Sequence, residues 1–418
     1  MSSLQPVRGT RDILGKEALL KTKILNVFSA FAKKYNFNLI ETPIFESTSV
    51  FSRTLGETSD IVGKEMYTFL DRGEDSLTLR PEGTAPVIRA LISNGLTQTL
   101  PQKFFYAGPM FRYERPQKGR YRQFHQACVE YIGSVSPFAD VEVICFGYNL
   151  LKELGIKDII LHINTLGDIE SRLKYREALI AYFTPLKKQL SRDSQERLLK
   201  NPLRILDSKD VNDQALSKNA PHFQNYLTDF SKDFFASVLK GLDVLNIPYV
   251  LDNTLVRGLD YYTHTAFEFK TTSLGAQDTV LAGGRYDNLV KQMGGPDIAA
   301  VGFGMGIERA CLLMNEDLVI NVPPIGILPI GESDFLNGLV LADTLRKKGY
   351  LIEFPLSGNL NKRFKQLERF DCRTVIVFGS DEWDKGSVKI KNLKEQDINK
   401  KEVVVHLEEI DSFLKEFA

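Results

Sequence analysis

Between residues 16 and 35 the apolar side chains Leu20, Ile24, Phe28, Phe31 and Tyr35 fall three or four positions apart. That spacing predicts an amphipathic helix. Extended runs follow around NLIETPIF, MYTFL and SLTLRP, and TAPVIRALISNG (84–95) predicts a helix opened by a threonine cap and ended at Gly95. KFFYAGPMFRYE and QFHQACVEYIG predict two aromatic-rich strands joined by the loop RPQKGRYR. Residues 137–155 predict a further helix and IILHINTLG a further strand. From about 168 to 245 the chain turns polar, helical in places and poor in strand-like runs, which suggests an inserted helical subdomain. Strand-like runs return in IPYVLDNTLVRGLDYYTHTAFEF, DTVLAGGRYDNLV and AVGFGMGIERACLLM, so the core is built from two sequence-distant blocks of mostly antiparallel strands. From Thr263 polar and apolar residues nearly alternate, the period of a half-covered strand. Beyond 321, after Pro323-Pro324, the strand-like GILPI, YLIEF, TVIVFGS and VKIKN alternate with helical runs, an α/β arrangement.

Composition narrows the classes. A chain of 418 residues with 43% apolar content suits two or three domains. Its 53 Lys and Arg balance 53 Asp and Glu, so only local patches can speak for nucleic acid. Cys128, Cys145, Cys311 and Cys372 are far apart, the five histidines are scattered, and HExxH is absent, so no metal cluster is expected. With no run of 18 apolar residues and no apolar leader in MSSLQPVRGTRD, the expectation is a soluble cytoplasmic protein.

Three arginine motifs carry the candidate chemistry. LVRGLDYYTHTAFEF sets Arg257 just before a strand. An arginine keeps its charge in a protein, so a buried one needs an anion. MFRYERP puts Arg112 and Glu114 on one strand face. GFGMGIERA places glycines before Glu308 and Arg309, where backbone can approach a ligand and a helix start can meet an anion. Each alone is more often packing or a surface ion pair. Arg80, Arg112, Arg257 and Arg309 all adjoin core runs, which makes a single anionic-ligand pocket as good a reading as four structural ones. Arg115, Lys118, Arg120 and Arg122 make the 115–122 loop basic, and a second basic patch spans 346–373. Either is a solvated surface or a track for a phosphate backbone. GxxxxGK[ST] does not occur, so no P-loop holds a nucleotide.

Taken in order, ETPIFE, LRPEGTAPVIRA, FRYERPQKGRYRQF, LVRGLDYYTHTAFEF and GFGMGIERA resemble the histidyl-tRNA synthetases of bacterial type, a class II family, over essentially the whole chain. The resemblance implies an α+β fold: a catalytic domain on an antiparallel sheet (1–167 and 246–320), a helical insertion (168–245) and a C-terminal α/β anticodon-binding domain (321–418). It implies ATP-dependent activation of L-histidine and transfer to the 3′ end of tRNA(His) by a homodimer, without a membrane. ATP is a substrate with Mg2+ on its phosphates, and no tightly bound protein metal is implied.

The resemblance also assigns residues. Arg257 and Arg112 would face the α-phosphate and Arg309 the γ-phosphate, as the catalytic set. Glu114, Arg120 and Phe124 would join Arg112 and Arg309 around ATP, with adenine between Phe124 and the Arg309 guanidinium. Histidine would be held by Glu82, Gly83, Thr84, Gln126, Glu130, Tyr261, Tyr262 and Tyr286. Arg115, Gln117 and Lys118 would contact tRNA. Helix 16–35 and NLIETPIF fall where the family forms its two-fold interface. Cys128 departs from the family's usual glycine, which bears on pocket shape, and His264 is given no role. Two other readings stand beside the enzyme: a noncatalytic paralogue regulating an ATP phosphoribosyltransferase, and an RNA-binding protein without catalysis. The first usually lacks the C-terminal domain and parts of these motifs; the second leaves an intact amino-acid pocket unexplained.

Overall fold

Helix Gly15–Lys34 turns its apolar stripe inward: Leu20, Ile24, Phe28, Phe31 and Ala32 are buried, in one cluster with Phe105, Phe146 and Phe303. The stripe is therefore satisfied within its own subunit, and the expectation that it marks a two-fold interface does not follow from it. Exposed apolar side chains lie just beyond, at Leu39, Ile44 and Phe45. The computed structural model describes residues 4–54, 64–117, 119–206, 208–255, 261–274, 278–315, 322–394 and 402–417. The chain divides into two compact units, Met1–Val319 and Ile320–Ala418.

Strands of the first unit, in chain order, are β1 (Asn38–Leu39), β2 (Phe45–Ser47), β3 (Tyr67–Leu70), β4 (Ser76–Leu79), β5 (Gln102–Phe111), β6 (Gln123–Ile132), β7 (Ile160–Thr165), β8 (Tyr249–Leu251), β9 (Thr263–Lys270), β10 (Thr279–Arg285) and β11 (Ala300–Gly306). Eight form one sheet in the order β1-β5-β6-β11-β10-β9-β7-β8, and β2-β4-β3 form a small second sheet. The large sheet is antiparallel except for β1 beside β5 and β7 beside β8. Strand pleating sends alternate residues to opposite faces, and here it separates two cores. Phe105, Val129 and Phe303, in register, face helices Gly15–Lys34, Pro137–Glu153 and Asp229–Val244. Tyr106 and Cys128 face the other way, toward helix Thr84–Ser93.

With helices on one face and a walled cavity on the other, β9 is buried along most of both faces rather than half-covered. Residues between β7 and β8 are helical. Tyr175, Leu179, Phe183, Leu198, Ile205 and Phe223 form a small core of their own, whereas Phe234, Phe235, Val238 and Leu242 of helix Asp229–Val244 join the main one.

The second unit is a five-stranded sheet in the order β13-β12-β14-β15-β16, formed by β12 (Ile325–Pro329), β13 (Ile352–Glu353), β14 (Thr374–Phe378), β15 (Ser387–Asn392) and β16 (Glu402–His406). β13, β12 and β14 are parallel and the rest antiparallel. Helix Phe335–Lys347 supplies Leu341, Ala342 and Leu345 to its core. The edge strand β16 was not foreseen from the sequence. Its central valines alternate between a buried and a less buried face in a segment dominated by charge.

Candidate active site

Short residues clear a space on the second face of the sheet. Gly302 lies opposite Glu130 in register, and a Cβ at Gly302 would sit 2.1 Å from the Glu130 Oε2. One at Gly284 would sit 2.8 Å from the Tyr262 ring. These glycines make room for side chains of neighbouring strands, and a cavity of about 630 Å³ opens above them.

Behind its inner end lies Glu130, 1% exposed. The Glu130 Oε1 accepts from the Thr84 hydroxyl at 2.8 Å and the Tyr106 hydroxyl at 2.8 Å, and Oε2 accepts from the Tyr286 hydroxyl. A carboxylate has about four lone-pair sites, so three donors leave one on Oε2 for a ligand N–H. Burial pushes Glu130 up to about 7, against the pull of the Tyr286, Thr84 and Tyr106 hydrogen bonds. Tyr261 and Tyr262 pack beside Tyr286, with centroids 5.6 and 6.4 Å from it, and both line the cavity. The Cys128 thiol lines it too and is pushed up by burial and by Glu130, so it stays neutral. Gln126 lines it from β6.

Helix Thr84–Ser93 begins at the cavity wall, and its threonine is not the cap. Glu82 accepts the Thr84 and Ala85 backbone N–H groups, each at 2.8 Å, which releases the Thr84 hydroxyl for Glu130. A carboxylate reaching the first turn of a helix meets both its free donors and its positive end. Gly83 is required here for space: a Cβ would lie 2.2 Å from the Tyr106 ring.

The outer end gathers three arginines. Arg112 donates from Nε to the Pro81 carbonyl at 2.8 Å, and its guanidinium lies 5.2 Å from the Phe124 ring centroid. Arg120 pairs with Glu114 at 3.1 Å. Arg309 donates to the Thr279 carbonyl at 2.7 Å and more weakly to that of Gly119 at 3.5 Å. Burial, then Arg120 and Arg112, holds the Arg309 pKa below the usual arginine value, with Glu114 opposing. These guanidinium groups share the lining with Glu65, Glu114, Glu268 and Asp278, so what they offer an anion is directed donors rather than net positive charge. In this structure Arg112 occupies the side of Phe124, while Arg309 rests on backbone carbonyls.

Of the sequence-derived candidates, Glu82, Gly83, Thr84, Arg112, Glu114, Arg120, Phe124, Gln126, Tyr261, Tyr262, Tyr286 and Arg309 all line this cavity. Glu130 is not on the lining itself but lies directly behind it, bonded to Thr84, Tyr106 and Tyr286, which are. Gln117 and Arg120 exchange backbone hydrogen bonds at the loop tip, and Arg115 and Gln117 are exposed there. Arg257 and Lys118 lie outside the described residues.

Two partners were not read from the sequence. Tyr106 sits in an aromatic run that looks like core. Glu308 accepts the His125 backbone N–H at 3.0 and 2.9 Å and pairs with its Nδ1 at 2.7 Å. That carboxylate fastens the helix bearing Arg309 to the strand bearing Phe124 and Gln126. Among the described residues no group of three or more His, Cys, Asp or Glu is placed to hold a metal ion, and no helix is long and apolar enough to cross a membrane.

Known proteins resemble this chain along nearly its whole length. The histidyl-tRNA synthetase family model matches residues 9–310, and an anticodon binding domain model matches 325–417. A histidine--tRNA ligase of Rhodospirillum rubrum is 53% identical over 394 residues, 94% of this chain and 95% of the relative. That of Streptococcus thermophilus is 46% identical over 416 residues, 97% of this chain and 96% of the relative. The apo histidyl-tRNA synthetase of S. aureus superposes with a TM-score of 0.82 at 33% identity, over 98% of this chain and 99% of that one. A Bacillus halodurans structure described as an ATP phosphoribosyltransferase regulatory subunit/histidyl-tRNA synthetase shares the fold, with a TM-score of 0.62 at 23% identity over 84% of this chain and 93% of that one. Matched along nearly its whole length, and with an α+β catalytic unit followed by an α/β unit, the chain belongs to the histidyl-tRNA synthetase family of class II aminoacyl-tRNA synthetases.

Proposed function

We infer that this chain activates L-histidine with ATP, giving histidyl-adenylate and diphosphate, and transfers the histidyl group to the 3′ end of tRNA(His). The observation that carries the inference is the pairing of a buried, hydroxyl-lined carboxylate, Glu130, with an arginine-ringed outer space in one cavity. The substrate carboxylate attacks the α-phosphorus of ATP, and the bond to the β-bridging oxygen breaks with its electrons leaving on diphosphate. A ribose hydroxyl of the tRNA end then attacks the mixed anhydride and expels AMP. Neither step needs a nucleophile from the protein, so its work is orientation and charge stabilisation.

Glu130 and Tyr262 would read the imidazole ring, with Tyr286 and Tyr106 holding the carboxylate in place. A pocket built for a ring N–H rejects side chains that lack one, because its own polar groups would be left unpaired. Glu82 and Gln126 would face the α-amino and carboxylate groups. Arg112 and Arg309 would leave backbone carbonyls for phosphate oxygens, which bind guanidinium more strongly, and adenine would lie on Phe124 with Arg309 above it. Arg257 would meet the α-phosphate opposite Arg112, its fork suited to two nonbridging oxygens. Mg2+ would enter with the substrate as MgATP. Arg115, Gln117 and Lys118 would meet the tRNA acceptor end, and the second unit would select the anticodon.

The exposed Leu39, Ile44 and Phe45 support a homodimer that pairs through β1 and β2, and the setting of the reaction is the cytoplasm. Diphosphate exchange into ATP across a panel of amino acids tests the assignment. Exchange should require histidine, and exchange with another amino acid instead would overturn it.

A further inference from the structure

Tyr286 follows Arg285, and strand pleating sends the two side chains to opposite faces. While Tyr286 donates to Glu130, Arg285 is wholly buried, 0% exposed. All five of its N–H groups find acceptors. Nε donates to Asp140 at 3.0 Å, Nη1 to the Ser134 carbonyl at 2.9 Å and to Asp287 at 3.1 Å, and Nη2 to the Ser136 carbonyl at 3.0 Å and to Asp140. Asp140 is itself wholly buried in the first turn of helix Pro137–Glu153, where the helix end favours a negative charge.

The cluster reaches further. The Asp287 carboxylate accepts the Ala300 N–H at 3.2 Å, its own N–H donates to the Thr263 hydroxyl at 3.3 Å, and the Tyr286 N–H donates to the Ala300 carbonyl at 2.7 Å. The guanidinium thus fastens the end of β10 to a helix start, and through Asp287 the cluster extends to the beginnings of β9 and β11. At this point the β9 register breaks: Gly284 pairs with Ala266 but Arg285 with Thr263. His264 takes a φ of +44° inside the break, and the Tyr262 ring comes against Gly284.

We propose that Arg285 is a positioning residue for amino-acid recognition. Held by Asp140 and Asp287 on the far face of the sheet, it sets the β10 end and the β9 bulge so that Tyr286 bears on Glu130 and Tyr262 packs against Tyr286. The proposal rests on the assignment of the cavity's inner end to histidine. Stability alone does not call for such a cluster. Apolar side chains of similar volume often replace a buried ion pair without loss, whereas removing one partner leaves a buried charge unpaired. What apolar packing lacks is five directed bonds that hold the β10 end to the helix start and fix Asp287, which in turn bonds Thr263 of β9 and Ala300 of β11.

The test uses the full chain and the double variant Arg285→Met/Asp140→Leu, with Arg285→Lys as a second variant that keeps the charge and loses the fork. Histidine and ATP KM values are read from diphosphate exchange, beside thermal unfolding. Both variants should fold and raise the histidine KM roughly tenfold to a hundredfold, with the ATP KM within about twofold of the parent. A folded variant with the parent's histidine KM, or with both KM values raised alike, overturns the proposal. So does failure of both variants to fold, which makes the cluster structural. Failure of the histidine assignment is separately visible, as absence of histidine-dependent exchange in the parent protein.

Discussion

The two ends of the cavity are built on opposite principles. At the inner end Glu130 takes its donors from a helix start, from β5 and from the residue just after β10, each hydroxyl already directed at it and nearly all water excluded. At the outer end Arg112 and Arg309 each donate to a neutral carbonyl, and Glu114 lies 4.0 Å from Arg112 and 3.1 Å from Arg120. Arg112 and Arg120 keep 22% and 36% of their side-chain surface in solvent. Bonds to neutral carbonyls are exchanged readily for bonds to phosphate, since a charged acceptor is worth more. The contrast fits a division in which the inner end discriminates and the outer end binds and then stabilises charge. A rigid desolvated site penalises a wrong side chain, while adaptable arginine donors can follow phosphate as charge moves.

The strongest test of that division is the proposed contact of Arg257 with the α-phosphate. Arg257→Ala should slow adenylate formation by roughly two orders of magnitude or more, with smaller changes in the KM of either substrate, as for a lost oxyanion donor. Single-turnover measurement would contradict this by showing weaker ATP binding at an unchanged rate. At the inner end Glu130→Ala should lower kcat/KM for histidine by roughly a hundredfold, the scale of a buried hydrogen bond to a charged group, and leave the ATP KM nearly unchanged. Gly302→Ala should mimic it, since the added methyl takes the place beside Oε2. An ATP KM that rises in step would show the ends are not separate.

Ionisation gives a third test. Glu130 binds its proton more tightly in the ligand-free fold, at about 7, than in the unfolded chain, at its usual value of about 4.5. Its contribution to stability is therefore fully present below about pH 4.5 and is lost as pH rises through 7. Urea unfolding of Glu130→Gln should remove that pH dependence, so the variant gains on the parent by up to about 3 kcal/mol between pH 5 and pH 8. Parallel profiles would show that the carboxyl is already ionised in the fold.

Assembly comes next. Ile44→Asp should dissociate the proposed dimer in sedimentation and lower activity with it, because the same patch is struck twice across a two-fold axis. A fully active monomer of the parent protein would remove the dimer from the account. The smallest effect is expected from removing the second unit: a chain ending at 319 should keep histidine-dependent exchange close to the parent while charging tRNA poorly. Lost exchange in a folded fragment would tie the C-terminal unit to the chemistry.

Local pattern was enough for much of this molecule. The 3.6-residue spacing located helix Gly15–Lys34, alternating and aromatic runs located β5, β6 and β10, and motif order brought most of the cavity's residues into view. Each of these is a property of a short segment, carried by side-chain spacing along one element. What tertiary structure decided is which polar groups meet. Thr84 looks like a helix cap, yet Glu82 caps and Thr84 serves Glu130, 46 residues away. Gly302 looks like backbone access for a ligand, yet antiparallel register sets it opposite Glu130 to give that carboxylate room. Glu308 meets His125 across 183 residues and Arg285 meets Asp140 across 145. A buried polar group must find its partner wherever the register of distant strands brings one, and that register is set only when the whole sheet closes on its two cores.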